Sequence, residues 1–344
     1  MYILEEGTED IIPEEIISDE ARSRVTQAFS RTIEKVTEAA SLRQDIPPEK
    51  LRVVIERASE FRNVVDVDHV TSEITSVVDE ILDSSAQILN QTLIKSRTGY
   101  RTEHAVDTTL VTLLIARHLL YSRRDLVEIG TGAFLHDLGK LAFPTLIAKP
   151  AAEYTDDERF LMREHPVFGQ QLLSHSTDRL FMAQTTILHH HERQDGLGYP
   201  LGLRGRNEKP YLNGHDTKKY IFPFAEILAV ANVYDNYISH HNQSPLSPEA
   251  ALVEILRRAR TVFNSEVVAL LAKVISIFPV GGMVSIVDCS NPHLIGMVGA
   301  VMKSNSERPH YPIVVLLRDA QGRKITPKTV DLTSEKFVRL DLVQ

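Results

Sequence analysis

The 344-residue chain has a single cysteine, Cys289, which excludes intramolecular disulfides and any thiolate-rich metal centre. A bound metal would have to be held by His, Asp and Glu, and such nitrogen and oxygen donors point to Fe, Mn or Zn. Positive charge is not in excess either. With 38 Lys and Arg against 46 Asp and Glu, the net charge of −8 leaves no footprint for long nucleic acid, only room for a local basic pocket around a small phosphate ligand. The opening MYILEEGTEDIIPEE lacks the positive flank and apolar core of a signal peptide, and no later stretch reaches roughly 18 uninterrupted apolar residues. No membrane span and a cytoplasmic location are the resulting expectations. Internal repeats and low-complexity segments are also missing. What the chain does have is a hydrophobic fraction of 43%, enough at this length to fill two or three units.

The pattern along the chain is mainly α. Residues 1–95 read as an N-terminal helical region, with apolar-periodic stretches at 25–40, 51–61 and 70–94 broken by Pro47-Pro48. Their apolar positions suit plain bundle packing, and a homodimer seam along the same helices stays open. Residues 96–278 continue as an all-helical domain whose loops carry unusual polar residues. Thr155 and Glu158 have capping-box spacing, and Ser247-Pro248 forms an N-cap and first-turn pair. Residues 279–344 change to short β-branched runs, MVSIVD, LIGMVGAVM and PIVVLLRD, which mark a small β-rich C-terminal unit.

Chemistry concentrates in the middle region. The stretch HHHERQDGLGYP at 189–200 crowds imidazoles beside a Gly-rich turn, and His104, His136-Asp137 and His165 lie on or beside helices upstream. A lone His on an apolar helix is usually a satisfied core residue. The adjacent pair His136-Asp137, in HDLGK, can instead serve two metal ions, or one ion and a bridge, without distant segments having to converge. Lys140 falls one turn beyond Asp137, placed to meet an anionic substrate or leaving group. Several His and Asp donors on a helical scaffold suit metal-assisted hydrolysis of a phosphoester.

In this order, HDLGK, EHPVFG and HHERQDGLGYPLGLRG resemble the HD-GYP family, a subgroup of the HD metal-dependent phosphohydrolases, over residues 95–278. The resemblance implies an all-helical HD-GYP domain and hydrolysis of cyclic di-GMP through two divalent ions, Fe or Mn. It implies metal ligands at His104, His136, Asp137, His165, His190, His191 and the position of Asn232. It assigns catalytic roles to Asp137 and Lys140, with Lys140 facing substrate, and the signature loop to Gly198, Tyr199 and Pro200, through which a protein partner could dock. Outside that pattern, His189 is read as a surface residue in preference to a supporting donor, and Glu192, Arg193 and Asp195 as groups that hold the loop in shape.

Three positions depart from the family pattern. Asn232 stands where it has an aspartate ligand, offering one neutral carbonyl oxygen where a carboxylate would bring charge. Asp235 lies one turn further along, and its substitution for the missing ligand would require a shift. The stretch ISHHNQSPLSPEA lacks the basic clamp expected after that helix, and Tyr100 stands where three-metal members carry a glutamate, so a third ion is not expected. Two readings follow: a cyclic di-GMP phosphodiesterase, or a degenerate module that keeps the architecture and binds a nucleotide or a protein. A phosphohydrolase acting on another nucleotide is a third, since scaffold alone does not fix substrate.

Overall fold

The computed structural model describes residues 11, 16–41, 64–84, 100–173, 180–212, 216–239, 245–305, 308 and 310–343. The helix expected at 51–61, the Pro47-Pro48 break, the boundary near residue 95, the Tyr100 side chain and the His240-His241 pair lie outside the described residues.

Helix α1 (Asp19–Ser41) and helix α2 (Val67–Asp83) pack together, burying Val25, Phe29 and Val36 against Val70, Ile74, Val77 and Ile81. These faces fill the chain's own core, which is the packing reading of their periodicity. Helix α2 ends at Asp83, where its C-cap Ser84 turns extended at ψ 135°, and the rest of the stretch expected to reach residue 94 lies outside the described residues.

Helix α3 (Tyr100–His118) packs on α1 and on α4 (Arg123–Leu135), which starts at a Ser122–Asp125 capping box. Short helices α5 (Pro144–Ile147) and α6 (Asp156–Met162) follow, and the expected Thr155–Glu158 capping box opens α6. Helices α7 (His165–Leu172) and α8 (Phe181–His189) pack together, α8 also packs on α4, and α9 (Pro223–Ile238) covers α3 and α8. Helix α10 (Pro248–Arg257) begins at the expected Ser247-Pro248 pair, with Ser247 Oγ accepting from Ala250 N, and α11 (Ser265–Val274) completes the layer. The described residues between His190 and Phe222 form no helix, and the expected signature loop lies among them.

The C-terminal unit is a five-stranded antiparallel sheet in the order β4-β3-β2-β1-β5, built from Met283–Cys289, Val298–Lys303, Ile313–Arg318, Lys324–Asp331 and Val338–Leu342, β1 to β5. The three β-branched runs supply the central strands. The sequence pattern missed β4 because this edge strand is mostly exposed and polar and carries Pro327, tolerated at an edge, and it missed β5, VRLDL, because the strand is only five residues long. One buried apolar cluster runs from α1 and α2 through α3, α4 and α9 to Val284, Ile286 and Leu340 of the sheet.

Candidate metal centre

Four chain segments converge on Asp137. His136 caps the C-terminus of α4, and a 3-10 turn (Leu138–Ala142) carries the chain past the start of α7. A Cβ on Gly139 would lie 2.0 Å from His165 O and 2.6 Å from Gly169 N. Only glycine allows this approach, and it brings His165 beside the His-Asp pair. The end of α8 delivers His190 and His191, and the start of α3 delivers His104. His104, His136, His165 and His190 are buried.

The backbone fixes three of these rings in one tautomer. Nδ1 of His136, His165 and His190 lies 2.7, 2.8 and 2.6 Å from the carbonyl oxygens of Ala133, Met162 and Ile187. A carbonyl only accepts, so each Nδ1 carries the proton and each Nε2 presents a lone pair. Burial pushes His136 down to about 4, lowers His165, and holds His190 and His191 well below the usual imidazole range, so all four are neutral at pH 7. Nε2 of His165 and His190 face each other at 3.2 Å. Two nitrogens about 2.1 Å from a common cation lie about 3.0–3.4 Å apart at bond angles between square and tetrahedral, so this pair fits one ion. His136 Nε2, His191 Nε2 and Asp137 Oδ1 are buried without a hydrogen-bond partner, an arrangement that a cation resolves and that is costly otherwise.

Asp137 divides the donors into two sets. Its Oδ1 lies 3.4, 3.6 and 3.8 Å from Nε2 of His165, His136 and His190, whereas Oδ2 faces His104 Nε2 at 3.8 Å and accepts from Lys140 Nζ. Donor atoms of Asp137, His165, His190 and His191 fall within 4.8 Å of one another, as do those of His104, His136 and Asp137. Burial works against ionising Asp137, but the Lys140 ammonium beside it favours the charged form, and its carboxyl is held well below the usual range. The carboxylate is therefore charged and shared between two donor groups.

Helix α9 contributes a group that sequence spacing did not reveal. Asp235, fully buried, lies 2.7 Å from His104 Nδ1, so its carboxylate holds that ring and turns Nε2 toward Asp137. Asp235 thus stands behind a candidate ligand. Asn232, one turn earlier, is buried, and its Oδ1 accepts from Asn236 Nδ2 at 2.7 Å. The surface reading of His189 is corrected: it is 2% exposed, and its Nδ1 accepts from Phe222 N at 3.2 Å. Its place on the inner face of α8 was hidden by the run of three identical side chains.

The Gly198-Tyr199-Pro200 loop packs against these ligands. A Cβ on Gly198 would come within 2.5 Å of Arg193 N and Glu192 Cα, which is why the turn needs glycine there. Tyr199 stacks on His191 with ring centroids 4.6 Å apart, and Arg163 covers its ring at 5.0 Å. Glu192 accepts from the N–H groups of Leu201, Gly202 and Leu203, and Arg193 pairs with Asp195. These charges shape the loop.

A cleft of about 460 Å³ opens onto His104, Asp137 and Lys140. Its lining also includes Phe29 and Ile33 of α1, so a helix remote in sequence from the His and Asp cluster walls the site. Nothing in the periodicity of α1 distinguished these two positions from ordinary core.

Comparison with known proteins places these residues in context. The family model described as HD domain matches residues 88–267. A cyclic di-GMP phosphodiesterase of Pseudomonas aeruginosa is 25% identical over 274 residues, 80% of this chain and 61% of the relative. A cyclic di-GMP phosphodiesterase response regulator of Xanthomonas campestris pv. campestris is 38% identical over 37% of this chain and 30% of its own length. A 3'3'-cGAMP-specific phosphodiesterase of Vibrio cholerae is 24% identical over 54% of this chain and 38% of its own. The chain therefore spans under two thirds of the length of each of these relatives.

Proposed function

Because the chain belongs to the HD domain family, in its HD-GYP group, we propose that it is a metal-dependent phosphodiesterase that hydrolyses cyclic di-GMP through two divalent ions, Fe or Mn. The observation that carries this reading is that Asp137 belongs to two donor groups at once, one with His165, His190 and His191 and one with His104 and His136, its Oδ2 facing His104 and its Oδ1 facing His165, His190 and His136. His165, His190, His191 and Asp137 would hold one ion, and His104, His136 and Asp137 the other. When bound, such a pair acidifies a water and neutralises charge on phosphoryl oxygens.

The chain's own groups set up that chemistry. The backbone carbonyls behind His136, His165 and His190, and the Asp235 carboxylate behind His104, fix which ring nitrogen faces inward. Lys140 neutralises Asp137 Oδ2 and lines the cleft, where its ammonium meets an entering phosphate. Tyr199 and the glycine turn exclude water from one side of His191. Asn232 would serve as a weak seventh donor through the lone pair that Asn236 leaves open.

The alternative, a degenerate module that binds a nucleotide or a protein partner without turnover, draws on Asn232. Its oxygen is already engaged by Asn236, and it brings no charge to the His104 side. Leu197 and Leu201, 70% and 55% exposed in the signature loop, are where a protein partner would dock. Turnover separates the two readings. Anaerobically purified protein supplied with Mn or Fe(II) should convert cyclic di-GMP to linear products separable by chromatography. Tight binding without product would establish the module.

A further inference from the structure

A cyclic dinucleotide carries two phosphates, and the ions can take only the one being cleaved. The cleft must therefore hold the other, and three cations line it: Lys140, Lys149 and Arg101. Two of them are committed. Lys140 Nζ is held by Asp137, and Lys149 Nζ by Glu158 Oε2 at 2.8 Å. Arg101 pairs with no carboxylate among the described residues. It sits three residues before His104 on α3, so guanidinium and ligand share one helix face and one cleft.

Resting on the phosphodiesterase reading above, we propose that Arg101 anchors the second, uncleaved phosphate of the cyclic dinucleotide. A guanidinium is always charged and matches two phosphate oxygens at once, which an ammonium does not. The rest of the cleft suits what is attached to that phosphate. Phe29, Ile33, Tyr154 and Met162 give it an apolar wall for a nucleobase, and Phe29 is braced edge-on against Phe134 at 4.9 Å. The cleft lining thus combines cationic and apolar groups, as an anionic ligand with flat rings requires. Arg101 is exposed, so its replacement leaves the core intact.

The test is calorimetric titration of the full chain, as purified with its metal, with the bis-phosphorothioate of cyclic di-GMP, an analogue that resists hydrolysis. Arg101→Gln should raise Kd by about 10- to 100-fold, the worth of a hydrogen bond to a charged group. Arg101→Lys should recover part of the loss, because charge returns without the planar fork. Arg124→Gln makes the same charge change at an exposed site outside the cleft lining and should leave Kd within twofold. Equal affinity in wild type and Arg101→Gln, or an equal loss in Arg124→Gln, overturns the assignment while leaving the substrate intact. No binding by the wild type overturns the cyclic di-GMP reading itself, and the anchor with it.

Discussion

On one side of Asp137, His165, His190 and His191 gather from α7 and the end of α8. His165 and His190 are locked by carbonyls three residues upstream. On the other side His136 is held the same way, but His104 takes its orientation from Asp235, 131 residues away, and Asn232 stands where a carboxylate would add charge. The first side is built by local backbone geometry, the second by tertiary packing of α9 on α3. Donors fixed by their own helix ends are insulated from changes elsewhere. On the proposed two-ion reading, a donor steered by a distant carboxylate would make its ion the weaker and more adjustable one.

Replacing the shared residue removes the comparison altogether. Asp137→Ala should lower turnover of cyclic di-GMP on the order of a thousandfold and deplete both ions, as read by elemental analysis of purified protein. Retention of one full equivalent would show that Asp137 serves only one side. Asp235→Asn tests the asymmetry next. It should weaken the more loosely held ion by about 10- to 100-fold in a metal titration and leave the tighter one in place, whereas equal loss of both would mean that Asp235 supports the whole fold.

Asn232→Asp works in the opposite direction. Restoring a carboxylate should raise occupancy of the weaker ion several-fold, and unchanged metal content would remove Asn232 from the ligand set. The smallest effect is in metal-free protein. As pH falls below about 6.5, the unfolded chain takes up protons on imidazoles, while burial keeps the folded rings neutral, His136 down to about 4. Depressed imidazole pKa values therefore make stability fall with pH across that window. A melting series from pH 7 to 4.5 should show Tm dropping by several degrees. A flat profile would mean that these rings titrate as they do in the unfolded chain.

Much of this arrangement was legible in the sequence because its signals are local. Adjacent candidate donors such as His136-Asp137 and His190-His191, a capping box, an N-cap before proline, and β-branched runs all act within a few residues. What stayed hidden depends on how segments meet. That Asp235 orients His104, that His189 turns inward, and that Phe29 and Ile33 wall the cleft are consequences of packing between elements far apart in the chain. Edge strands β4 and β5 escaped for other reasons: β4 has little burial and so needs no alternating apolar pattern, and β5 alternates over only five residues.

The most direct test of a shared carboxylate is a metal titration of stripped full-length protein with Mn(II) under anaerobic conditions, followed by spin resonance of the loaded state. A carboxylate shared by two ions requires two binding steps, about two ions per chain, and the spectrum of a coupled pair. Saturation at one ion, or two ions with the spectrum of isolated Mn(II), would contradict it.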